Sequence, residues 1–313
     1  RSPEDVQQLI DEGPFTPQEA LDVELVDRLA YPDERIPILE QRLQSTVQVN
    51  SLLERPQANS PWESPAQIAV VYIEGAIVDG ESTAGGLLGM ASTGADTITR
   101  QLRQASNDPK VKAVVLRVDS PGGSALASDR IWHAVDRIQQ SGKPVVVSMG
   151  GLAASGGYYV SAGADAIWAE PATLTGSIGV YSGRFSTQEL FDTMGLGVTT
   201  IERGRNASLY TGTEPWDLEQ RQRVEAMVED TYRQFKNVVS DGRGMTLEEV
   251  EDVARGRVWT GMRAADNGLV DHIGGMQDAL LDAQKRAGLR PERKVGIVSY
   301  TPSGSLVQGL APS

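Results

Sequence analysis

Two apolar strands that each run into a cluster of very small residues constrain the fold of this chain most. Ala113–Val118 leads into the turn Asp119–Ser124, and Pro144–Val147 leads into the small-residue cluster Gly150–Gly157. Short apolar runs flanked by Gly and Pro are typical of buried strands. After the first turn, apolar residues recur at helical spacing, at Ala127, Ile131, Val135 and Ile138. Two such units in succession predict an α/β fold with both turns at one end of a sheet.

One serine lies inside the second cluster. Ser155 is surrounded by Gly and Ala, so a substrate backbone could come close to its hydroxyl. This setting suits a nucleophile at a sharp strand-to-helix turn, although Ala153 occupies the first glycine position of the G-x-S-x-G motif. The alternative is an ordinary turn or helix N-cap serine, because Ser beside Gly is common in both.

The first turn offers a possible complement to that serine. The backbone N–H groups of Gly122 and Gly123 could donate hydrogen bonds to an oxyanion. The alternatives are a phosphate-binding loop or a plain connection between strand and helix. Neither G-x-G-x-x-G nor G-x-x-x-x-G-K occurs in the chain, which weakens the phosphate interpretation.

Three motifs in this order resemble one known family. They are DSPGGS at Asp119–Ser124, SMGGLAASGGYY at Ser148–Tyr159 and LTGSIG at Leu174–Gly179. Together they resemble the signal peptide peptidase A (protease IV) family of serine peptidases, over roughly 68–288. The resemblance implies a ClpP/crotonase-like spiral of ββα units with flanking helices.

The resemblance also implies roles for individual residues. It implies that Ser155 is the nucleophile, that Gly122 and Gly123 form the oxyanion hole and that Ser177 orients a lysine acting as general base. The enzyme would be a Ser/Lys-dyad endopeptidase that degrades cleaved signal peptides and other apolar peptides, without a metal or cofactor. An apolar substrate pocket is expected at Leu152, Tyr158 and Val180. The family further implies a homo-tetramer at the periplasmic side of a bacterial inner membrane, with its anchor outside this chain.

The general base is the component that the sequence does not supply. Serine needs a partner that removes its proton. Thr175–Arg184, where a ClpP-type histidine is expected, contains no His. Ile201–Tyr210, where short members of the family have their lysine, contains Arg203 and Arg205 but no Lys. Arginine stays protonated in proteins and cannot serve as the base. We therefore expect the base lysine to lie outside this chain.

An internal repeat gives a reason for that absence. Ser2–Asp27 aligns without gaps on Thr246–Asp271, and both segments end in Leu-Val-Asp. The long form of the family contains two such halves, so we expect the end of a first repeat, followed by a nearly whole second one. The alternative is a local duplication of one helical hairpin. The expected division is 1–54 for the first-repeat remnant, 55–65 for a linker, 66–288 for the peptidase domain and 289–313 for a final strand and tail.

Composition limits the remaining function classes. The net charge of −13 argues against nucleic-acid binding through a basic surface. The absence of Cys excludes a thiol nucleophile and a disulfide framework within this sequence. His133 and His272 are expected to be structural. Two rival functions remain: an inactive scaffold half, and a crotonase-type acyl-CoA enzyme. Labelling of Ser155 by a fluorophosphonate would distinguish the peptidase hypothesis, which requires it, from the crotonase hypothesis, which does not.

Overall fold

The computed structural model describes residues 1–44, 66–83, 91–212, 214–290 and 295–300. The chain divides into two compact units. The first unit comprises Arg1–Gln57 and Tyr181–Thr231, and the second comprises Ala58–Val180 and Tyr232–Ser313. The linker predicted at 55–65 lies outside the described residues, as do 291–294 and 301–313 of the segment 289–313 predicted as a final strand and tail.

The described strands belong to the second unit. They are β1 (Gln67–Glu74), β2 (Ala76–Val78), β3 (Ser92–Gly94), β4 (Val111–Ser120), β5 (Val145–Ala154), β6 (Ala166–Ala169), β7 (Leu174–Gly176), β8 (Val258–Thr260), β9 (His272–Ile273) and β10 (Gly296–Tyr300).

The described helices occur in both units. They are α1 (Pro3–Glu12), α2 (Pro17–Asp22), α3 (Arg35–Leu43), α4 (Ala95–Asn107), α5 (Ala125–Gln140), α6 (Gly156–Tyr159), α7 (Gln188–Thr193), α8 (Leu218–Arg243), α9 (Leu247–Val253), α10 (Gly261–Asp266) and α11 (Met276–Arg286). Among them, no helix is both long and apolar enough to cross a membrane.

A mostly parallel sheet organises the second unit. Its strand order is β10-β1-β4-β5-β6-β9, and neighbours along this path run parallel. The short strand β7 pairs with the end of β5 and, antiparallel, with β8. A separate parallel pair joins β2 to β3. Because parallel strands share a direction, the segments that follow β4 and β5 emerge at the same edge of the sheet.

Both faces of the sheet are buried. Alternate residues of β1 point to opposite faces. Ala69 and Val71 join a core that includes residues of α4 and α5, and Ile68 and Val70 join a second core with Ala279 and Ala283 of α11. Burial on both faces explains why these strands read as continuous apolar runs. The α/β class predicted from the sequence is confirmed.

The helices in the two segments of the predicted repeat begin at matching positions, although α1 has ten residues and α9 seven, and the second segment also contains β8. Ser2 and Thr246 cap α1 and α9, and each cap forms the reciprocal pair of side-chain bonds known as a capping box. Thr16 and Thr260 cap α2 and α10, which are both six residues long. Ser or Thr caps at equal spacing support the interpretation of the two segments as copies of one hairpin, although α10 lacks the capping box that α2 has.

Side-chain contacts stabilise the first unit. Arg223 of α8 lies 2.7 Å from the carboxylate of Glu19 on α2, and its guanidinium faces the ring of Phe15. The side-chain amide of Asn206 donates to the carbonyl oxygens of Asp11 and Gly13. These contacts join residues 1–27 to the 203–223 region within this unit.

Candidate active site

Strands β4 and β5 bring the two glycine-rich turns together. The strands run parallel, and Ser120 pairs with Ala153 at their carboxyl ends. A Cβ placed on Gly122 would lie 2.9 Å from the Cβ of Ser155 and 2.4 Å from the amide nitrogen of Gly156. The turn after β4 is therefore packed directly against the serine that follows β5.

Ser155 has an unusual backbone conformation. Its φ is +51° and its ψ is −120°, and α6 begins at the next residue. Positive φ is uncommon for a residue with a side chain, and such strain concentrates at functional sites. The side chain is half-buried, and its hydroxyl makes no hydrogen bond to another described residue. The hydroxyl is therefore placed at the sheet edge without a structural partner there.

Two backbone amides beside Ser155 have no partner among the described residues. They belong to Gly123 and Gly156, and a Cβ on Gly156 would lie 3.2 Å from the amide nitrogen of Gly123. The amide of Gly122 is engaged instead, because it donates to the Oγ of Ser120 at 3.1 Å. The sequence-based prediction that Gly122 and Gly123 both donate to an oxyanion therefore fits Gly123 but does not fit the amide of Gly122.

Sequence reasoning missed Gly156. The available signal was its position, since the residue after the nucleophile supplies one oxyanion-hole amide in strand-to-helix elbows. The amide of Ser155 itself is not available, because it donates to the carbonyl oxygen of Gly176 at 2.9 Å.

Ser177 lies beside Ser155 across a strand pair. Ala154 of β5 pairs with Gly176 of β7, so the two serines follow paired positions. Ser177 also has positive φ, at +48°, and its amide donates to the carbonyl oxygen of Arg257 at 2.7 Å. Its hydroxyl, like that of Ser155, makes no hydrogen bond to another described residue. The pairing places the two serines side by side at the carboxyl ends of β5 and β7.

Two partly buried lysines, Lys143 and Lys236, are bonded to groups other than Ser155. Lys143 donates to the carbonyl oxygens of Ala105, Ser106 and Asp108, at the start of β5. Burial lowers the pKa of Lys143, as a base requires, but the ten residues of β5 separate it from Ser155. At about 3.3 Å per residue the separation is about 30 Å. Lys236 pairs with Glu251 at 2.9 Å.

No other described lysine and neither histidine hydrogen-bonds to Ser155 or Ser177. Lys110 and Lys112 are at the amino end of β4, and Lys285 is exposed near the end of α11. His272 packs against the ring of Trp168, with centroids 4.5 Å apart. His133 is in the third turn of α5. Lys294 lies outside the described residues.

The three residues expected to line a substrate pocket differ in position. Leu152 and Val180 are half-buried. Tyr158 is fully buried, and its hydroxyl donates to the carbonyl oxygen of Leu269 at 2.9 Å. Burial raises the pKa of that hydroxyl. The expectation of a pocket role for Tyr158 does not fit this position, because the ring belongs to the core.

Comparison with known proteins gives matches across most of the chain. The model for peptidase family S49 matches residues 137–290, and the Clp protease model matches residues 89–169. Protease 4 of Salmonella typhi is 38% identical over 89% of this chain and 44% of its own length. A putative protease of Methanocaldococcus jannaschii is 33% identical over 75% of this chain and 74% of its own length. Among solved structures, a ClpP1 variant of Listeria monocytogenes has a TM-score of 0.43 at 17% identity, covering 67% of this chain and 94% of that chain.

These matches bear on the fold and on the extent of the chain. The match to the Clp protease model over 89–169, together with the parallel sheet, confirms the ClpP-like fold predicted from the sequence. The chain spans less than half the length of the Salmonella relative.

Proposed function

The chain belongs to the signal peptide peptidase A (protease IV) family, peptidase family S49, and from this premise we propose that it carries the nucleophile of a serine endopeptidase. The nucleophile is Ser155. The observation that carries the proposal is the strained, half-buried Ser155, which lies beside the amides of Gly123 and Gly156 and whose hydroxyl has no hydrogen-bond partner among the described residues. Amides held in place where negative charge develops are the usual means of stabilising an acyl-transfer transition state.

The proposed reaction is acyl transfer through Ser155. Its Oγ attacks the carbonyl carbon of the scissile peptide bond, and its proton passes to a neutral lysine amine. The resulting oxyanion accepts hydrogen bonds from the amides of Gly123 and Gly156. Collapse of the intermediate breaks the C–N bond, and the leaving amine takes the proton from the lysine. Water, deprotonated by the same lysine, then attacks the acyl carbon, and the lysine gives the proton to the Oγ of Ser155 as the bond between that oxygen and the acyl group breaks.

The base lysine is proposed to come from a first repeat that precedes this chain in the whole protein, with Ser177 hydrogen-bonded to it. The exposure of the repeated hairpin supports the existence of that repeat. Leu25 is 46% exposed whereas its counterpart Leu269 is fully buried, and Val6 is 44% exposed whereas Val250 is fully buried. Apolar surface that one copy buries and the other exposes fits a missing partner for the exposed copy.

Substrates and setting follow from the family. We propose apolar peptides, including cleaved signal peptides, as substrates, with Leu152 and Val180 at their binding site. The whole protein is proposed to act as a homo-tetramer at a bacterial inner membrane, facing the periplasm.

The test is covalent labelling and turnover of the full-length protein. A peptidyl fluorophosphonate should add to Ser155, located by mass spectrometry of the digested protein. Ser155→Ala should abolish this adduct and lower hydrolysis of a fluorogenic apolar peptide by several orders of magnitude, because the nucleophile is lost.

Ser106→Ala is the matched control for this test. Ser106 lies at the other end of the sheet, where its hydroxyl contacts that of Ser141. This variant should label and turn over like the wild type. Labelling at Ser124 or Ser177, or near-normal turnover by Ser155→Ala, would contradict the assignment.

A further inference from the structure

Ser120 is a fully buried residue that the reaction above does not use. Its Oγ donates to the carbonyl oxygen of Gly75 at 2.6 Å and accepts from the amide of Gly122 at 3.1 Å. Gly75 lies between β1 and β2, whereas Gly122 contacts Ser155. The Ser120 hydroxyl therefore connects the turn beside Ser155 to the residue between β1 and β2.

The peptide group that joins Gly122 to Gly123 is hydrogen-bonded to β2. The carbonyl oxygen of Gly122 accepts from the amide of Ile77 at 2.9 Å, and the amide of Ser124 donates to the carbonyl oxygen of Ile77 at 2.8 Å. Because a trans peptide is planar, the N–H of Gly123 points opposite to the C=O of Gly122, and so away from β2. That direction leads to Gly156 and the space beside Ser155.

Glycine supplies no stiffness of its own at this position. Gly122 has φ of +97°, a conformation that glycine enters and leaves without steric cost. The hydrogen bond from Ile77 holds the peptide group that follows Gly122, and the hydrogen bond to Ser120 holds the peptide group that precedes it. Both bonds are needed to fix the φ and ψ angles of Gly122.

We propose that Ser120 is a positioning residue for oxyanion stabilisation: it holds the amide of Gly122 so that the amide of Gly123 is aimed at the tetrahedral intermediate. The inference rests on the proposed function of Ser155. A preorganised donor lowers the barrier more than a mobile one, since it need not reorient as charge develops. Losing the anchor should weaken transition-state binding and leave ground-state binding of the peptide largely unchanged.

The test is Ser120→Ala in the full-length protein. We expect kcat to fall by about 10-fold to 10²-fold. This loss is smaller than the 10²–10³-fold loss that follows removal of an oxyanion donor itself. KM should stay within about 2-fold. The affinity for a peptide boronate, which forms a tetrahedral adduct on the serine, should fall with kcat. Equal kcat, or a rise in KM with kcat unchanged, would overturn the inference.

Thr173→Val is the matched control. The Thr173 hydroxyl is also buried, accepts from the amide of Glu170 at 3.1 Å and donates to the carbonyl oxygen of Gly150 at 2.7 Å. Thr173→Val removes the same two kinds of hydrogen bond as Ser120→Ala but leaves the bonds of the 119–124 turn in place. The kcat and the boronate affinity of this variant should therefore remain near wild type. An equal loss in both variants would assign the effect to general destabilisation and contradict the proposal.

A second measurement needs no variant. In a crystal structure of the wild-type boronate adduct, the tetrahedral oxygen should accept from the amides of Gly123 and Gly156, with the amide of Gly122 still on Ser120. A boronate oxygen bound by the amide of Gly122 would overturn the inference while leaving Ser155 as nucleophile. A wild-type protein that forms no adduct at Ser155 would overturn the proposed function as well.

Discussion

At the scale of single residues, two adjacent glycines in one turn are restricted by different contacts. A Cβ on Gly123 would lie 2.0 Å from the carbonyl oxygen of Ile77, so a side chain there would disturb the contact with β2. A Cβ on Gly122 would instead press on Ser155 and Gly156. Close approach to Ser155 is therefore the constraint at Gly122, and contact with β2 is the constraint at Gly123.

Gly122→Ala is predicted to displace Ser155 and to lower the activity of the full-length protein about 10²-fold or more, since small misplacements of reacting groups carry penalties of that size. Gly142→Ala is the control, because Gly142 also has positive φ, at +84°, but no atom lies within 4 Å of its added Cβ. The control should lose about 1–2 kcal/mol in free energy of unfolding, from strain alone, and keep its turnover. Urea unfolding and peptide hydrolysis measure the two effects, and equal activity losses in both variants would contradict the assignment.

At the scale of elements, the positions of the strands could be predicted from the sequence better than which strands pair with each other. The apolar runs at Ala113–Val118 and Pro144–Val147 lie within or adjoin β4 and β5, because burial on both faces leaves a continuous apolar signature. The pairing of β7 with β8 joins segments far apart in the chain, and no local pattern specifies it. The amide of Gly156, which has no partner among the described residues, and the buried position of Tyr158 were not predicted for the same reason, because both depend on tertiary contacts.

The link between α8 and α9 should make stability depend on pH. Hydrogen bonds from Lys236, and then Arg255 and Tyr232, lower the pKa of Glu251 from 4.5 to about 2. A carboxyl whose pKa is lowered by folding stabilises the fold above its ordinary pKa, and this contribution is lost as pH falls from about 4.5 towards 2.

Glu251→Gln should therefore cost on the order of 1 kcal/mol of unfolding free energy at pH 7, a value limited by solvent screening of the partly exposed group. The difference from wild type should shrink towards pH 3. Glu248→Gln is the control, since Glu248 is exposed on the same helix. Urea unfolding at several pH values measures both, and a difference for Glu251→Gln that does not change with pH would show that the ionised carboxylate is not the cause.

At the scale of the whole molecule, the candidate site brings Ser155 together with the amides of Gly123 and Gly156, and no lysine or histidine among the described residues hydrogen-bonds to Ser155. The apolar face of the first hairpin, at Val6 and Leu25, is exposed where the second copy is buried. Both observations are explained if a first repeat packs on residues 1–27 and places a lysine at Ser155. General-base assistance is typically worth about 10²–10⁴-fold in rate.

The most direct measurement compares hydrolysis of one fluorogenic apolar peptide by residues 1–313 alone and by the full-length protein. Circular dichroism confirms that both are folded. We expect 1–313 to hydrolyse the peptide barely above background and the full-length protein to be at least about 10²-fold faster. One Lys→Ala change in the preceding half should remove the gain. Full activity from 1–313 alone would contradict the account, since it would place the base within this chain.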